Sequence, residues 1–111
     1  MKIEQLSPVR TPFKVGKKLR ASSWASEDLV DSFGDEVRRI FHYDTLMCEF
    51  VGSEDGWWCG VLSVGIGSVS DQSGMNTLLS TLDTSVRYYR DGGRPRYSQS
   101  RAGRAICCPN D

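Results

Sequence analysis

A chain of 111 residues with 39% hydrophobic and 25% charged side chains is one globular domain's worth, able to bury about 60 to 70% of the surface its unfolded form exposes. Its net charge of zero hides a segregated layout: residues 1–20 carry +5, residues 21–86 carry −9 and residues 87–111 carry +4. The composition excludes wholesale disorder, the absence of any apolar run near ~18 residues excludes a helical membrane span, and one histidine with four cysteines lacking Cys-x-x-Cys spacing excludes an ordinary zinc site.

Charge segregated in this way either folds the basic ends onto the acidic middle or leaves them as an anion-binding surface. The N-terminus lacks a charged-then-apolar secretory pattern. A cytoplasmic location is therefore expected, with Cys48, Cys59, Cys107 and Cys108 as reduced thiols and no metal or cofactor.

Residues 1–20, with Pro8, Pro12 and many charges, read as a basic extended arm holding one short strand at Thr11 to Val15. From Ser26 to Phe41 the apolar residues Leu29, Val30, Phe33, Val37, Ile40 and Phe41 recur at spacings of three and four, which predicts a helix capped by Ser26 and weakened only by Gly34. Glu27 and Asp28 suit its positive end, and Arg38 and Arg39 its negative end.

From Tyr43 to Val51 the period changes to two, predicting a strand, and Gly52 to Gly56 supplies the turn to a returning strand, Trp57 to Val64. Setting Val51 opposite Trp57 brings Phe50 to Trp58, Cys48 to Gly60 and Leu46 to Leu62, all on one face. Cys48 and Cys59 then point to opposite sides, which disfavours a disulfide between them.

A glycine- and serine-rich junction, Gly65 to Asn76, leads into a second amphipathic stripe of Met75, Leu78, Leu79 and Leu82. It predicts a helix of two to three turns capped by Ser70 or Ser73. A strand from Ser85 to Arg90, the Asp91-Gly-Gly93 turn and an edge strand near Tyr97 follow. The expected fold is α+β: a small antiparallel sheet of three to four strands with two helices packed on one face. The arm (1–20), a single domain (21–97) and a mobile basic tail (98–111) complete the organisation.

Three regions carry candidate binding residues. At the junction Ser68, Ser70, Asp71, Gln72 and Asn76 can line a pocket floored by glycine backbone, where a helix N-terminus favours anions; equally, they are ordinary capping residues. In Arg87, Tyr88, Tyr89, Arg90, Arg94, Arg96 and Tyr97, cations interleave with aromatic rings, a pattern that suits phosphates and stacked bases or, alternatively, a sheet strand with tyrosines inward. Trp57 and Trp58 are adjacent, so on a strand they face opposite ways, and one is exposed or lies under the arm. No nucleophile and base stand at an interpretable spacing, and His42 reads as a structural or surface histidine, so an enzyme is not expected.

The strings His42-Tyr-Asp-Thr-Leu-Met47, Val64-Gly-Ile-Gly-Ser-Val-Ser-Asp-Gln-Ser-Gly-Met-Asn76 and Tyr88-Tyr-Arg90 together resemble a family of small uncharacterised proteins of bacteriophages that infect actinobacteria and related hosts. The likeness covers roughly residues 42–97. It implies a product made inside an infected cell that binds and modulates a host or defence-system protein. The alternative expectation is a nucleic-acid or nucleotide binder using the Arg/Tyr-rich strand and the 68–76 loop. An edge strand at 88–97 would also permit a homodimer by sheet extension.

Overall fold

After a 3-10 turn at Ile3–Leu6, the chain runs through Lys18–Ala21 (β1), Trp24–Val30 (β2), Glu36–His42 (β3), Thr45–Gly52 (β4) and Trp57–Leu62 (β5). It continues through the helix Val69–Leu79 (α1), the strands Tyr88–Asp91 (β6) and Arg94–Tyr97 (β7), and a last strand, Ala105–Pro109 (β8). The structure, a computed structural model, describes residues 1–82 and 84–98, together with the backbone of 105–109. One sheet has the order β1-β2-β3-β4-β5-β8 with every pair antiparallel, and β6 and β7 form a separate two-stranded sheet.

This corrects the expectation of three to four strands carrying two helices: the described residues hold one α-helix. The segment read as the first helix is the β2–β3 hairpin. Its turn is fastened by Asp31, whose Oδ1 accepts from the N–H groups of Phe33 and Asp35, and Gly34 sits at φ +84°, far from helical backbone. The inward positions of these strands include Ser26, Asp28, Arg38 and His42, all buried. Polar residues there erase the apolar alternation by which a strand is normally read.

Directly paired residues share a face, so the ladders sort the side chains. The inner face carries Trp24 with His42, Ser26 with Ile40 and Cys48, and Asp28 with Arg38 and Phe50. Leu6 of the 3-10 turn, Met75, Leu78 and Leu79 of α1, and Tyr88 and Tyr97 join Trp24, Ile40, Phe50 and Trp58 in one core over that face. The first twenty residues contribute to this cover, since Leu6 and Ser7 are fully buried; their strand starts at Lys18 rather than within 11–15.

In the β4–β5 hairpin Val51 lies opposite Cys59, Phe50 opposite Gly60 and Cys48 opposite Leu62, two residues from the expected register. An even offset preserves the faces from Cys48 onward, and Cys48 and Cys59 do point to opposite sides; Leu46, expected on the face of Cys48, instead pairs with Phe41 and is 37% exposed on the other face. Between β3 and β4 the register shifts after Ile40, which pairs with Cys48, to Phe41, which pairs with Leu46. Met47 is the additional residue of this bulge, and both it and Cys48 are buried. The second helix lies where its stripe predicts, though Ser68 caps it rather than Ser70 or Ser73. The strand expected at 85–90 is β6, shifted to 88–91, and the edge strand near Tyr97 is β7. Of the expected mobile tail, Ser98 exchanges hydrogen bonds with Arg87, β8 pairs with β5 through its backbone, and the rest lies outside the described residues.

Candidate functional site

The junction places its polar groups mainly on its own main chain. Ser68 accepts at Oγ from the N–H of Asp71, and Asp71 Oδ2 accepts from the N–H groups of Gly67 and Ser68. Asn76 is spent on β6: its Oδ1 accepts from the Tyr88 N–H at 2.8 Å and its Nδ2 donates to the Tyr88 carbonyl at 2.9 Å. Asp71 is buried, Gln72 half-buried and Ser70 exposed, so these candidates do not line one open pocket. The exposed side chains of this bend are mixed, with apolar Ile66 and Val69 beside Ser70 and Ser73.

The aromatic and cationic candidates divide by the pairing of β6 with β7. Tyr88 and Tyr97, directly opposite each other, turn inward and meet edge to face at 5.1 Å. Their hydroxyls donate to the carbonyls of Val64 and Ser63, so neither ring is available to stack on a base. Burial pushes both phenols up from their ordinary range. Tyr89, opposite Arg96, stands on the outward face with exposed Arg94, and Arg96 pairs with Asp91 at 3.1 Å. Arg87 and Arg90 are exposed too.

The tryptophans separate as strand geometry requires. Trp58 is buried beneath Phe13 of the N-terminal segment, ring centroids 6.0 Å apart, whereas Trp57 is 48% exposed on the opposite face. That outer face carries a charged row, Lys18, Glu27, Arg39 and Glu49, ending at exposed Val61, beside an apolar row of Leu29, Val37, Val51 and Cys59. Among the described residues, the helix and the N-terminal segment both pack on the inner face. A shallow depression of about 300 Å³ over β1 and β2 is walled in part by Arg20, Ala25, Glu27 and Phe41.

A cluster that the sequence reading did not assemble lies where two tight turns meet the start of α1. Ser23 is the second residue of the β1–β2 turn, and His42 is the last residue of β3. His42 Nε2 is 3.0 Å from Ser23 Oγ, and His42 Nδ1 is 2.5 Å from Asp71 Oδ1. Trp24 stacks on the imidazole at 4.4 Å and 11°, and Tyr43 lies against it at 4.7 Å. The Tyr43 N–H donates to the Ser23 carbonyl at 2.8 Å, locking one turn to the other.

Ser22 and Tyr43 hold φ of +59° and +53°, positions that cost a side-chain-bearing residue about 1–2 kcal/mol each. Burial raises the Asp71 pKa, but the hydrogen bonds from His42, Gly67 and Ser68 and the charge on His42 outweigh it, holding the carboxyl below its ordinary value. An ionised Asp71 only accepts, so Nδ1 of His42 carries a proton; with that proton on Nδ1, Nε2 is the nitrogen that faces the Ser23 hydroxyl, and it is the acceptor whenever the ring is uncharged. Ser23, His42 and Asp71 are 19 and 29 residues apart, and no local spacing joins them.

No group of three or more His, Cys, Asp or Glu among the described residues is placed to hold a metal ion. No helix of the described residues is long and apolar enough to cross a membrane. Comparisons of the chain with protein-family models, curated proteins and solved structures find no match.

Proposed function

We propose that this chain is a protein-binding module that docks through the outer face of its six-stranded sheet, with Trp57 as the principal contact. The observation that carries this reading is the face itself: Trp57, Val61 and Leu46 are 48%, 46% and 37% exposed, and no described element covers them. Exposed tryptophan at the edge of an apolar surface is the residue type that dominates protein interfaces. The charged row beside it, Lys18-Glu27-Arg39-Glu49, supplies orientation rather than bulk affinity. With the phage resemblance, the partner is a host or defence-system protein.

The test is capture from host lysate with the wild-type chain and Trp57→Glu, with and without nuclease. A partner retained after nuclease and lost with Trp57→Glu is expected. Equal capture by both chains, or self-association of the purified protein through this face in sedimentation, removes the proposal.

A second reading is favoured by one observation, the outward grouping of Arg87, Tyr89, Arg94 and Arg96 on and beside the β6–β7 hairpin. It makes this hairpin a single-stranded nucleic-acid contact, with Tyr89 as the stacking ring and without Tyr88 or Tyr97. Affinity for oligonucleotides would then fall steeply with salt and drop on Tyr89→Ala. Undetectable or salt-insensitive binding rejects it.

A further inference from the structure

We propose that Ser23 is a reactive serine, with His42 as its base and Asp71 as the positioning residue, able to take an acyl group from a carboxylic ester. The hydrogen bonds run in the order this chemistry needs: hydroxyl to Nε2 at 3.0 Å, and Nδ1 to a carboxylate at 2.5 Å. The constellation is defined by geometry and roles rather than by sequence order, so its origin in two hairpin turns and a helix start does not count against it.

Each member is held by a separate device. The Tyr43 N–H fixes the Ser23 carbonyl, Trp24 stacks on one face of the imidazole, and the N–H groups of Gly67 and Ser68, just ahead of α1, grip the second oxygen of Asp71. The three groups also differ in exposure as the reaction demands. His42 and Asp71 are 3% exposed, and Ser23 is half-buried at the surface. Exposed Tyr43 lies against the imidazole, and in sequence exposed Ile66 and Val69 bracket the Gly67-Ser68 grip on Asp71.

In the reaction, Ser23 Oγ bonds to the ester carbonyl carbon as its proton passes to His42 Nε2. The bond from that carbon to the alcohol oxygen then breaks, and the alcohol leaves with the proton from His42. Water, giving a proton to His42, attacks the acyl-serine; the carboxylic acid departs and Ser23 Oγ recovers its proton. Asp71 keeps the imidazole in the tautomer that accepts from Ser23 and offsets the charge that it gains.

The inference does not depend on the docking surface, and either can fail alone. The test exposes the full chain to a fluorophosphonate probe, measures the labelling rate by intact mass and locates the adduct by peptide mapping. One adduct on Ser23 is expected, formed at least about 100-fold faster in the native chain than in the same chain unfolded in urea, the lower end of what a positioned base contributes. Ser23→Ala removes the adduct, Ser32→Ala in the β2–β3 turn leaves the rate unchanged, and His42→Gln slows labelling by a similar factor. A p-nitrophenyl butyrate assay then shows a burst that Ser23→Ala abolishes. No labelling of the native chain, labelling at another residue, or a native rate no higher than the unfolded one overturns the proposal.

Discussion

Asp28 and Arg38 meet in two parallel hydrogen bonds, 2.6 Å from Nε to Oδ1 and 2.8 Å from Nη2 to Oδ2, with side chains 1% and 0% exposed. The remaining guanidinium donors reach the carbonyls of Leu6, Thr11 and Pro12, and Asp28 Oδ2 accepts from the Lys14 N–H. One fully satisfied ion pair thus fastens the first fourteen residues to the β2–β3 hairpin. Removing one partner leaves the other charged and dry, so Arg38→Ala should cost about 3–5 kcal/mol in urea unfolding, whereas Asp28→Leu with Arg38→Met together should cost less than either single change. A loss below about 1 kcal/mol for Arg38→Ala would show that the pair is not what holds this segment.

Gly74 lies against Trp24. A methyl group there would fall inside the indole, and the ring is buried and stacked on His42, so it has nowhere to move. Helix propensity alone favours Gly74→Ala by about 1 kcal/mol. Overpacking costs about 1–3 kcal/mol, and against a pinned ring it should fall at the upper end, reversing that sign and leaving a net loss of about 1–2 kcal/mol. Thermal unfolding decides between the two, and a raised midpoint would refute the close contact. The same variant should slow any Ser23 labelling, because displacing Trp24 frees the imidazole.

What the sequence made legible follows where hydrophobicity could speak. The β4–β5 hairpin was readable because Phe50 and Trp58 alternate with exposed or half-exposed neighbours, and α1 because Met75, Leu78 and Leu79 recur on one side. The β2–β3 hairpin was not, because its inner row is built from Ser26, Asp28, Arg38 and His42 while Val30 and Phe33 stand exposed. Those exposed apolar residues, added to buried Val37 and Ile40, counterfeit a spacing of three and four. The turn chemistry was the missed signal: Asp31-Ser-Phe-Gly-Asp35 carries a capping carboxylate and a glycine at positive φ. Asp71 was singled out as a junction residue, but its pairing with His42 depends on the β3 strand that the helix reading erased.

Tyr88 and Tyr97 make alkaline stability a test of the hairpin's docking. Burial raises both phenols, most strongly Tyr97, so each binds its proton more tightly folded than unfolded. Stability from this source is complete below the ordinary tyrosine value of 10.0 and falls as the pH rises above it. Tyrosinate absorbance from these two residues should therefore grow together with the loss of far-ultraviolet circular dichroism. Titration of both phenols while the fold persists would contradict their burial. Tyr97→Phe, which strands the Ser63 carbonyl, should cost about 1–3 kcal/mol.

At the acid end the sign is the opposite, and Asp71 is the group to watch. Its carboxyl is raised by burial but lowered further by His42, Gly67 and Ser68, ending below 3.8. The unfolded chain then holds this proton at a pH where the folded chain has released it, so unfolding takes up a proton there. The contribution is complete above the unfolded value and disappears as the pH falls through the folded one. Asp71→Asn mimics the protonated state. The stability gap between wild type and this variant should shrink as the pH falls below 3.8. The ¹³C shift of the Asp71 carboxyl, followed by NMR, should titrate with a midpoint beneath that value. A gap that stays full at lower pH would mean that the Asp71 charge contributes nothing, and that shape alone holds His42 against the helix.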